Sequence, residues 1–384
     1  MRAGADVLRV ALPCTGLGRQ HRGFETITRE THAALRATPG LSLRVFGGGG
    51  ALREDEQAVW NLSRDSRLAQ WVAAHTRYGA YFVEQATFFA GFLPSLLAWR
   101  PHVVYYADLN FGNACWHWRR VSGQRFRLLY YNSGPTTQPY TRCDFVQQVT
   151  PAQHDAALAR GESADRMCLL PHGLALPSAP PARSPELRAA TRRAFRAPDN
   201  KPLLLSVGML GSTLKRMDVL VNAVAALGAE RPHLVILGQE TPETAALREQ
   251  AAAQLGDGAW IGTWPRDRIS DAYAAADAFA LLSLSEGFGL AYIEALAAGL
   301  PCVVYDSANT AFILGEHAYR GDTSSPAGTA ALLRRALSET TTETIRRARW
   351  TWVRDRFSWD VLAPRYVEML RACAVGQLPA WSRA

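Results

Sequence analysis

Lysine is almost absent from this chain of 384 residues. Its 42 basic side chains include only two lysines, Lys201 and Lys215, and the others are arginines. The formal net charge of +8 favours anionic partners such as nucleotides, membrane surfaces or nucleic acid without choosing among them. The basic residues form no dense run with interleaved aromatic residues, so we expect no nucleic-acid partner. Because lysine and arginine are not equivalent at a phosphate group, a retained lysine is a candidate functional residue.

Patterns that bind metals or form disulfides are also missing. The six cysteines are scattered, without a Cys-x-x-Cys pair or a His/Cys cluster at metal-ligand spacing. This distribution excludes a zinc ribbon and argues against a disulfide scaffold, so we expect reduced thiols. No Asp-x-Asp metal motif is evident in the sequence.

Hydrophobic runs of membrane-spanning length do not occur. The nearest apolar run, 85–99, is too short and contains Pro94, so the sequence predicts no transmembrane helix. The first residues lack the apolar core of a signal peptide, and we expect a cytoplasmic protein. The basic charge permits peripheral contact with the inner face of the membrane, although no segment is a clear amphipathic membrane helix.

Strand-like apolar runs alternate with helical stretches in both halves of the chain. The clearest runs are 7–12, 41–46, 102–106, 127–131, 203–207, 233–237, 278–282 and 301–305. This alternation predicts βαβ units and parallel sheets. We therefore predict an α/β protein with two Rossmann-like, doubly wound domains and a ligand cleft between them at the carboxyl ends of the strands.

A proline-rich segment separates the two halves and sets the predicted domain boundaries. We assign 1–180 to an N-terminal domain, 181–200 to a linker and 201–355 to a C-terminal domain. The last segment, 356–384, reads as an amphipathic helix that returns to pack on the N-terminal domain.

The most informative motif is the segment 285–301, Ser-Glu-Gly-Phe-Gly-Leu-Ala-Tyr-Ile-Glu-Ala-Leu-Ala-Ala-Gly-Leu-Pro. A buried strand leads directly into a glycine turn and then a helix. Gly287 and Gly289 allow close backbone approach, and the N–H groups of Gly289 and Leu290 have the geometry that binds phosphate.

Two carboxylates, Glu286 and Glu294, flank this turn. Taken alone, the spacing of these two glutamates predicts only ordinary side chains exposed to solvent. The context favours a function, because Ile293, Leu296 and Ala297 make the helix otherwise apolar and packed on the sheet. A second motif runs from Ser206-Val-Gly208 to Lys215-Arg216, where a lysine just before a helix can neutralise a leaving diphosphate.

These motifs resemble retaining glycosyltransferase family 4, within glycosyl transferases group 1, which has the GT-B fold. The resemblance implies Glu286 at the donor sugar hydroxyls and Glu294 at the ribose hydroxyls of the nucleotide. It implies a diphosphate site at the amides of Gly287, Phe288, Gly289 and Leu290. It places Gly208 and Lys215 beside that diphosphate, with Glu286 and Lys215 as the catalytic residues.

The sequence departs from the family pattern beside Lys215. Met209 stands where the family has an arginine, and Arg216 stands where it has a glycine. We interpret Arg216 as a donor-binding residue that supplies the missing charge. Gly16 and Gly18, within Gly16-Leu-Gly18…Arg22-Gly23-Phe-Glu25, resemble the family's first loop, which approaches the donor phosphate and the acceptor.

The histidine that the family places near the donor sugar is also missing, because the corresponding stretch 130–135 reads Tyr-Tyr-Asn-Ser-Gly-Pro. Asn132 or Ser133 could hydrogen-bond the sugar instead. Asp108, which follows another strand, is a third candidate sugar contact, and a helix-capping role explains it equally well.

We hypothesise a transferase that moves a hexosyl group from a nucleotide-diphospho-sugar of the UDP, GDP or ADP type. The acceptor is a carbohydrate, a lipid-linked sugar or a small molecule. The resemblance implies a donor domain at 201–355, an acceptor domain at 1–180, retention of anomeric configuration and no metal or other cofactor.

Two alternatives stay open. A degenerate relative would bind a sugar nucleotide or a partner without turnover, as Met209 and the missing histidine suggest. A sugar-nucleotide epimerase would act without an acceptor. A dehydrogenase is disfavoured because the sequence lacks a Gly-x-Gly-x-x-Gly followed by a ribose-binding acid.

Overall fold

The computed structural model describes residues 7–20, 23–134 and 139–383. The chain divides into two compact units, with boundaries after Ala175 and after Ser358. The first unit combines the residues before the first boundary with those after the second, and the second unit is the segment between them.

Seven parallel strands form the sheet of the first unit, in the order β3-β2-β1-β4-β5-β6-β7. They are β1 Leu8–Cys14, β2 Leu41–Gly47, β3 Glu56–Ala58, β4 Val103–Tyr106, β5 Arg127–Asn132, β6 Phe145–Gln148 and β7 Met167–Leu169. The order reverses between β1 and β4, and ligands of doubly wound sheets bind at such a switch point.

Six parallel strands form the sheet of the second unit, in the order β10-β9-β8-β11-β12-β13. They are β8 Leu203–Val207, β9 His233–Leu237, β10 Ala259–Gly262, β11 Ala278–Leu281, β12 Cys302–Tyr305 and β13 Ala318–Gly321. Here the switch point lies between β8 and β11. The prediction of two Rossmann-like parallel sheets is confirmed.

Helices connect the strands in both units. They are α1 Gly23–Leu35, α2 Arg67–His75, α3 Ala80–Trp99, α4 Leu109–Ser122, α5 Pro151–Ala159, α6 Pro185–Ala194, α7 Met217–Ala225, α8 Thr244–Leu255, α9 Ile269–Ala275, α10 Leu290–Ala297, α11 Ala308–Leu314, α12 Pro326–Leu337, α13 Glu343–Phe357 and α14 Trp359–Ala374. Serine or threonine side chains accept a first-turn N–H at α2, α5, α6, α11, α12 and α13, which fixes where these helices begin.

The C-terminal helix α14 packs on the sheet of the first unit, as predicted. The Tyr366 hydroxyl is buried, accepts a hydrogen bond from Gln147 Nε2 at 2.9 Å and donates to the Pro171 carbonyl at 3.0 Å. Gln147 Oε1 in turn accepts from the Tyr105 hydroxyl at 2.6 Å. This polar chain holds the helix in register against β4 and β6.

All six cysteines are buried, and none of them forms a disulfide within the described residues. Within the described ranges, no helix is both long and apolar enough to cross a membrane.

The Asp277 carboxylate ties the arginine-rich helix α6 to the start of β8. Asp277 Oδ1 accepts from Arg188 Nη2 at 2.6 Å, and its Oδ2 accepts from Arg192 Nη1 at 3.3 Å. The same Oδ2 accepts from the backbone N–H of Leu203 at 2.8 Å, so the carboxylate also orients the start of β8.

We expect Asp277→Ala to lower the free energy of unfolding by about 1–3 kcal/mol, because Arg192 Nη1 and the Leu203 N–H lose their acceptor. Thermal denaturation measures the effect. Asp306→Ala is the control, since its ion pair with Arg320 is exposed and such pairs contribute about 0–1 kcal/mol. Equal stability of the two variants would contradict this account of α6.

Candidate active site

A glycine turn at the carboxyl end of β11 begins helix α10. Gly289 is the N-cap residue, with φ at 93°, and a Cβ there would lie 2.4 Å from the Tyr292 ring. Any larger residue would therefore be strained and would clash. Because Gly289 has no side chain to cap the helix, the first N–H groups of α10 can serve a ligand, and an anion there is stabilised by the helix dipole.

The two predicted catalytic residues lie together in this unit. Lys215 Nζ is 2.5 Å from Glu286 Oε1, and the side chains are 20% and 12% exposed. Lys215 lies just before α7 and Glu286 lies just before the glycine turn. Their ion pair thus joins loops at the carboxyl ends of β8 and β11, the switch point of the sheet.

Asn309 and the core hold the glycine turn in place. Asn309 Nδ2 donates to the carbonyls of Glu286 and Phe288, each at 3.4 Å. The Phe288 ring is 3% exposed and packs on Phe357 with ring centroids 5.7 Å apart. Only the backbone of Phe288 is therefore placed to meet a ligand.

Glu243 organises the loop that leads to Lys215, and sequence reasoning missed it. Its Oε2 accepts from Ser212 N at 2.5 Å, Ser212 Oγ at 2.8 Å and Thr213 N at 3.1 Å, and its Oε1 accepts from Thr213 Oγ1 at 2.5 Å. These bonds favour the ionised carboxylate and lower its pKa to about 2. The one feature of the sequence that could have indicated Glu243 is its position soon after β9, at the same edge of the sheet as the loop that carries Lys215.

Two glycines allow the strand ends to approach closely beneath this loop. A Cβ on Gly238 would lie 1.5 Å from the Gly208 carbonyl oxygen. A Cβ on Gly208 would meet the side chains of Met217 and Lys215 at 3.2 and 3.3 Å. The structure therefore requires glycine at position 238, and Gly208 lies against the stem of Lys215.

Arg216 has a left-handed backbone conformation, with φ at 53°. Such a conformation costs a residue with a Cβ roughly 1–2 kcal/mol, and glycine avoids this cost. The guanidinium donates to the Leu282 carbonyl at 3.3 Å and to Thr323 Oγ1 and the Thr323 carbonyl at 3.2 and 3.1 Å. These bonds offset the strain and tie the start of α7 to the ends of β11 and β13. A role for Arg216 at the donor stays a prediction.

Glu294 faces two partners that sequence reasoning missed. Its Oε1 accepts from Arg266 Nη2 at 2.6 Å, and its Oε2 accepts from the Tyr273 hydroxyl at 2.8 Å. Burial and the neighbouring Glu294 raise the pKa of Tyr273 well above its ordinary value, so the phenol remains a donor. A carboxylate has about four acceptor positions, so Glu294 can still accept from further hydroxyls.

The predicted glycine loop of the first unit rests on the glycine run after β2. Gly18 has φ at 87°, and a Cβ there would lie 2.4 Å from the Gly49 carbonyl oxygen. Its own carbonyl accepts from Ala51 N at 2.8 Å, while the Gly16 carbonyl accepts from Gln20 N at 2.8 Å. The structure brings these glycines to the end of β1, and Arg22 of the same motif lies outside the described residues.

Asp108 is buried at the end of β4, where it occupies the N-cap position of α4 without capping the helix. Its Oδ2 accepts from Thr15 N at 3.1 Å and Thr15 Oγ1 at 2.7 Å, and its Oδ1 accepts from the Tyr81 hydroxyl. Helix capping therefore does not explain this side chain. It fixes the loop after β1 instead.

Asn132 and Ser133 follow β5 in the same unit. Asn132 Nδ2 donates to the Tyr140 hydroxyl at 2.8 Å and to Gln148 Oε1 at 2.7 Å. Asn132 Oδ1 and Ser133 Oγ are buried without a partner among the described residues. Pro135, the last residue of the predicted stretch, lies outside the described ranges.

Comparison with known proteins finds a family match within the second unit. Residues 188–351 match the model for glycosyl transferases group 1. D-inositol 3-phosphate glycosyltransferase from Xylanimonas cellulosilytica is 37% identical over 150 residues, which cover 37% of this chain and 36% of that protein. The enzyme of the same name from Streptomyces avermitilis is 27% identical over 307 residues, which cover 72% of this chain and 63% of that protein. The matches thus span less than two thirds of either relative.

Solved structures confirm the predicted GT-B fold over most of the chain. Sucrose-phosphate synthase from Thermosynechococcus elongatus has a TM-score of 0.75 at 20% identity, covering 95% of this chain and 98% of that one. Anabaena HepE in complex with UDP and glucose has a TM-score of 0.74 at 15% identity, covering 95% of this chain and 100% of that one. At these identities the likeness establishes the fold alone.

The low pKa of Glu243 gives a testable pH dependence. Because the folded-state pKa lies below the ordinary value of 4.5, the carboxylate stabilises the loop above that value, and the stabilisation is lost as the pH falls towards about 2. We expect the Glu243 carboxyl resonance in an NMR titration to remain that of the ionised form well below pH 4.5. A Ser212→Ala/Thr213→Val variant removes the two hydroxyl donors and should raise the pKa. A Glu243 titration near 4.5 in the wild type would contradict the described loop.

Proposed function

We propose that this chain, whose residues 188–351 match the model for glycosyl transferases group 1, transfers a hexosyl group from a nucleotide-diphospho-sugar to a carbohydrate, lipid-linked or small-molecule acceptor. The observation that carries the proposal is the Lys215–Glu286 pair beside the N-terminus of α10, at the switch point of the second sheet. A diphosphate at that edge gains both a lysine cation and a helix N-terminus. The complex of Anabaena HepE with UDP and glucose supports this donor class.

Lys215 and the first amides of α10 stabilise the leaving group in the proposed reaction. The bond between the anomeric carbon and the phosphate oxygen breaks, and its electron pair stays on the oxygen. The developing charge falls where the lysine and the helix N-terminus are already positioned, which lowers the barrier more than it favours the ground state.

The two glutamates orient the donor. Glu294, itself fixed by Tyr273 and Arg266, accepts from the ribose hydroxyls. Glu286 accepts from the sugar hydroxyls once the arriving diphosphate draws Lys215 away from it. The acceptor hydroxyl attacks from the side on which the phosphate leaves and passes its proton to that phosphate. The anomeric configuration is therefore retained.

The first unit supplies the acceptor side of the proposed reaction. Asp108 already accepts on both oxygens, so we assign it the positioning of Thr15 and of the loop with Gly16 and Gly18. Ser133 Oγ has no described partner and is the better candidate for a hydroxyl of a bound sugar.

A binding protein without turnover is the competing function, and one observation favours it. Met209 stands in place of the expected arginine, while the guanidinium of the neighbouring Arg216 is hydrogen-bonded to Leu282 and Thr323. Release of the nucleoside diphosphate from a sugar nucleotide, in the presence of an acceptor, distinguishes an enzyme from such a protein.

Calorimetric titration with UDP, GDP, ADP and NAD tests the donor site. We expect one nucleoside diphosphate to bind and NAD not to bind. Glu294→Ala and Lys215→Ala should each weaken that binding by about tenfold or more, since each removes a charge-assisted contact. Lys201→Ala, which alters the only other lysine of the sequence, is the matched control and should bind like the wild type.

Binding of NAD in preference to the nucleoside diphosphates, or full retention of affinity by both site variants, would overturn the proposed donor site. Loss of affinity in Lys201→Ala as well would show that overall charge, rather than this site, governs binding.

A further inference from the structure

The first unit exposes several large apolar side chains in the segment between β3 and α3. Trp60 is 65% exposed, Leu68 52%, Trp71 58% and Tyr78 40%. We call these four residues the aromatic face. Proteins rarely expose several large apolar side chains within one short segment unless that surface binds something.

The segment that carries the aromatic face is fixed along helix α3. The Trp60 backbone lies against Gly91, where a Cβ would come within 2.2 Å of the Trp60 carbonyl oxygen. Leu62 N donates to Thr87 Oγ1 at 3.0 Å, and Arg64 Nε donates to the buried Glu84 at 2.7 Å. The exposed side chains are therefore presented from an ordered surface.

Helix α2 turns its large apolar residues away from the core. Ala69 is its buried residue, whereas Leu68 and Trp71 lie one turn apart on the exposed side. The ring of His75 continues this side and stacks on Trp71 at 4.6 Å. This is the reverse of an ordinary surface helix, in which the large apolar residues face inward.

Positive charge accompanies the aromatic face. Arg67 and Arg77 are exposed, and the Arg77 guanidinium lies 5.1 Å above the Tyr78 ring and donates to its hydroxyl at 2.9 Å. Of the acidic residues nearby, Glu84 is buried in its ion pair with Arg64, and Asp65 accepts from Gln20.

Helix α3 extends the apolar surface. After Glu84 its sequence carries no charged residue until Arg100. Ala90, Pro94 and Leu97 are exposed and recur at the spacing of one helix face.

We propose that the aromatic face docks on the surface of an anionic phospholipid bilayer. Tryptophan and tyrosine prefer the boundary between headgroups and acyl chains, since their rings are apolar and their N–H and O–H groups remain solvated. The exposed Arg67 and Arg77 meet the lipid phosphates, because arginines beside an anionic surface strengthen binding to it. Exposed aromatics, arginines and an uncharged helix face together fit lipid better than a protein partner, which would offer acidic residues to match the arginines. The surface is independent of the donor site, and it fits a transferase whose acceptor is lipid-linked.

Vesicle flotation of the full chain tests the proposal. We expect the wild type to float with vesicles of phosphatidylcholine containing about 30 mol% phosphatidylglycerol at low salt. It should float poorly with phosphatidylcholine alone, and less with the anionic vesicles in about 0.5 M salt, where charges are screened. Trp60→Ser/Trp71→Ser should reduce the partition coefficient about tenfold or more, and Arg67→Glu/Arg77→Glu should do the same.

The control exchanges one exposed apolar and one exposed basic residue elsewhere in the first unit. Val375→Ser/Arg160→Glu should float like the wild type, since both side chains are exposed outside the aromatic face. Nucleotide binding should be unchanged in all variants, which separates failure of this proposal from failure of the donor site.

Three results would overturn the proposal. They are failure of the wild type to float with anionic vesicles, equal flotation of the wild type with neutral vesicles, and flotation of the tryptophan variant equal to that of the wild type. A wild-type dimer that becomes monomeric in the tryptophan variant, measured by sedimentation velocity, would instead assign the face to a second copy of the chain.

Discussion

The ion pair of Lys215 and Glu286 is the interaction around which the second unit's site is arranged. Its members are 71 residues apart in sequence and meet only because β8 and β11 are neighbours at the switch point of the sheet. Glu243 holds the loop before Lys215, Asn309 holds the turn after Glu286, and Arg216 ties the start of α7 to the same edge. These three supporting residues lie on different elements of the second unit.

This arrangement balances charge in the absence of an anion. A partly buried lysine needs a counter-charge, and Glu286 provides it. A diphosphate carries more negative charge than one carboxylate, and it would also meet the N-terminus of α10. The lysine can therefore move to the diphosphate and leave Glu286 free to accept hydrogen bonds from the sugar.

Local sequence was sufficient to predict the fold and the loops of the site. The strand, glycine turn and helix of 278–297 lie within one continuous segment of the sequence. A separate local segment places Lys215 just before a helix. The partners of those residues are not local. Tyr273 reaches Glu294 from helix α9, and Arg266 reaches it from the segment just before that helix. Nothing in the sequence around either residue indicates this contact.

Two further cases show why function could not be read from local pattern alone. Asp108 occupies a helix N-cap position, yet its carboxylate accepts from Thr15 after β1 and from Tyr81 of α3, two donors that are distant in sequence. The exposure of Trp60 and Trp71 is equally a tertiary property. The sequence shows aromatic residues, but only the packing of α2 and of the segment before it along α3 decides which of them face water.

The affinity of Glu286→Gln for the nucleoside diphosphate tests the central claim most directly. If Glu286 holds Lys215 in the resting state, its neutralisation frees the lysine, and the variant should bind the diphosphate as tightly as the wild type or more tightly. The same variant should bind the intact sugar nucleotide more weakly, since the sugar loses an ionised acceptor. A loss of diphosphate affinity in Glu286→Gln would contradict the account and show that the ion pair only maintains the loop structure.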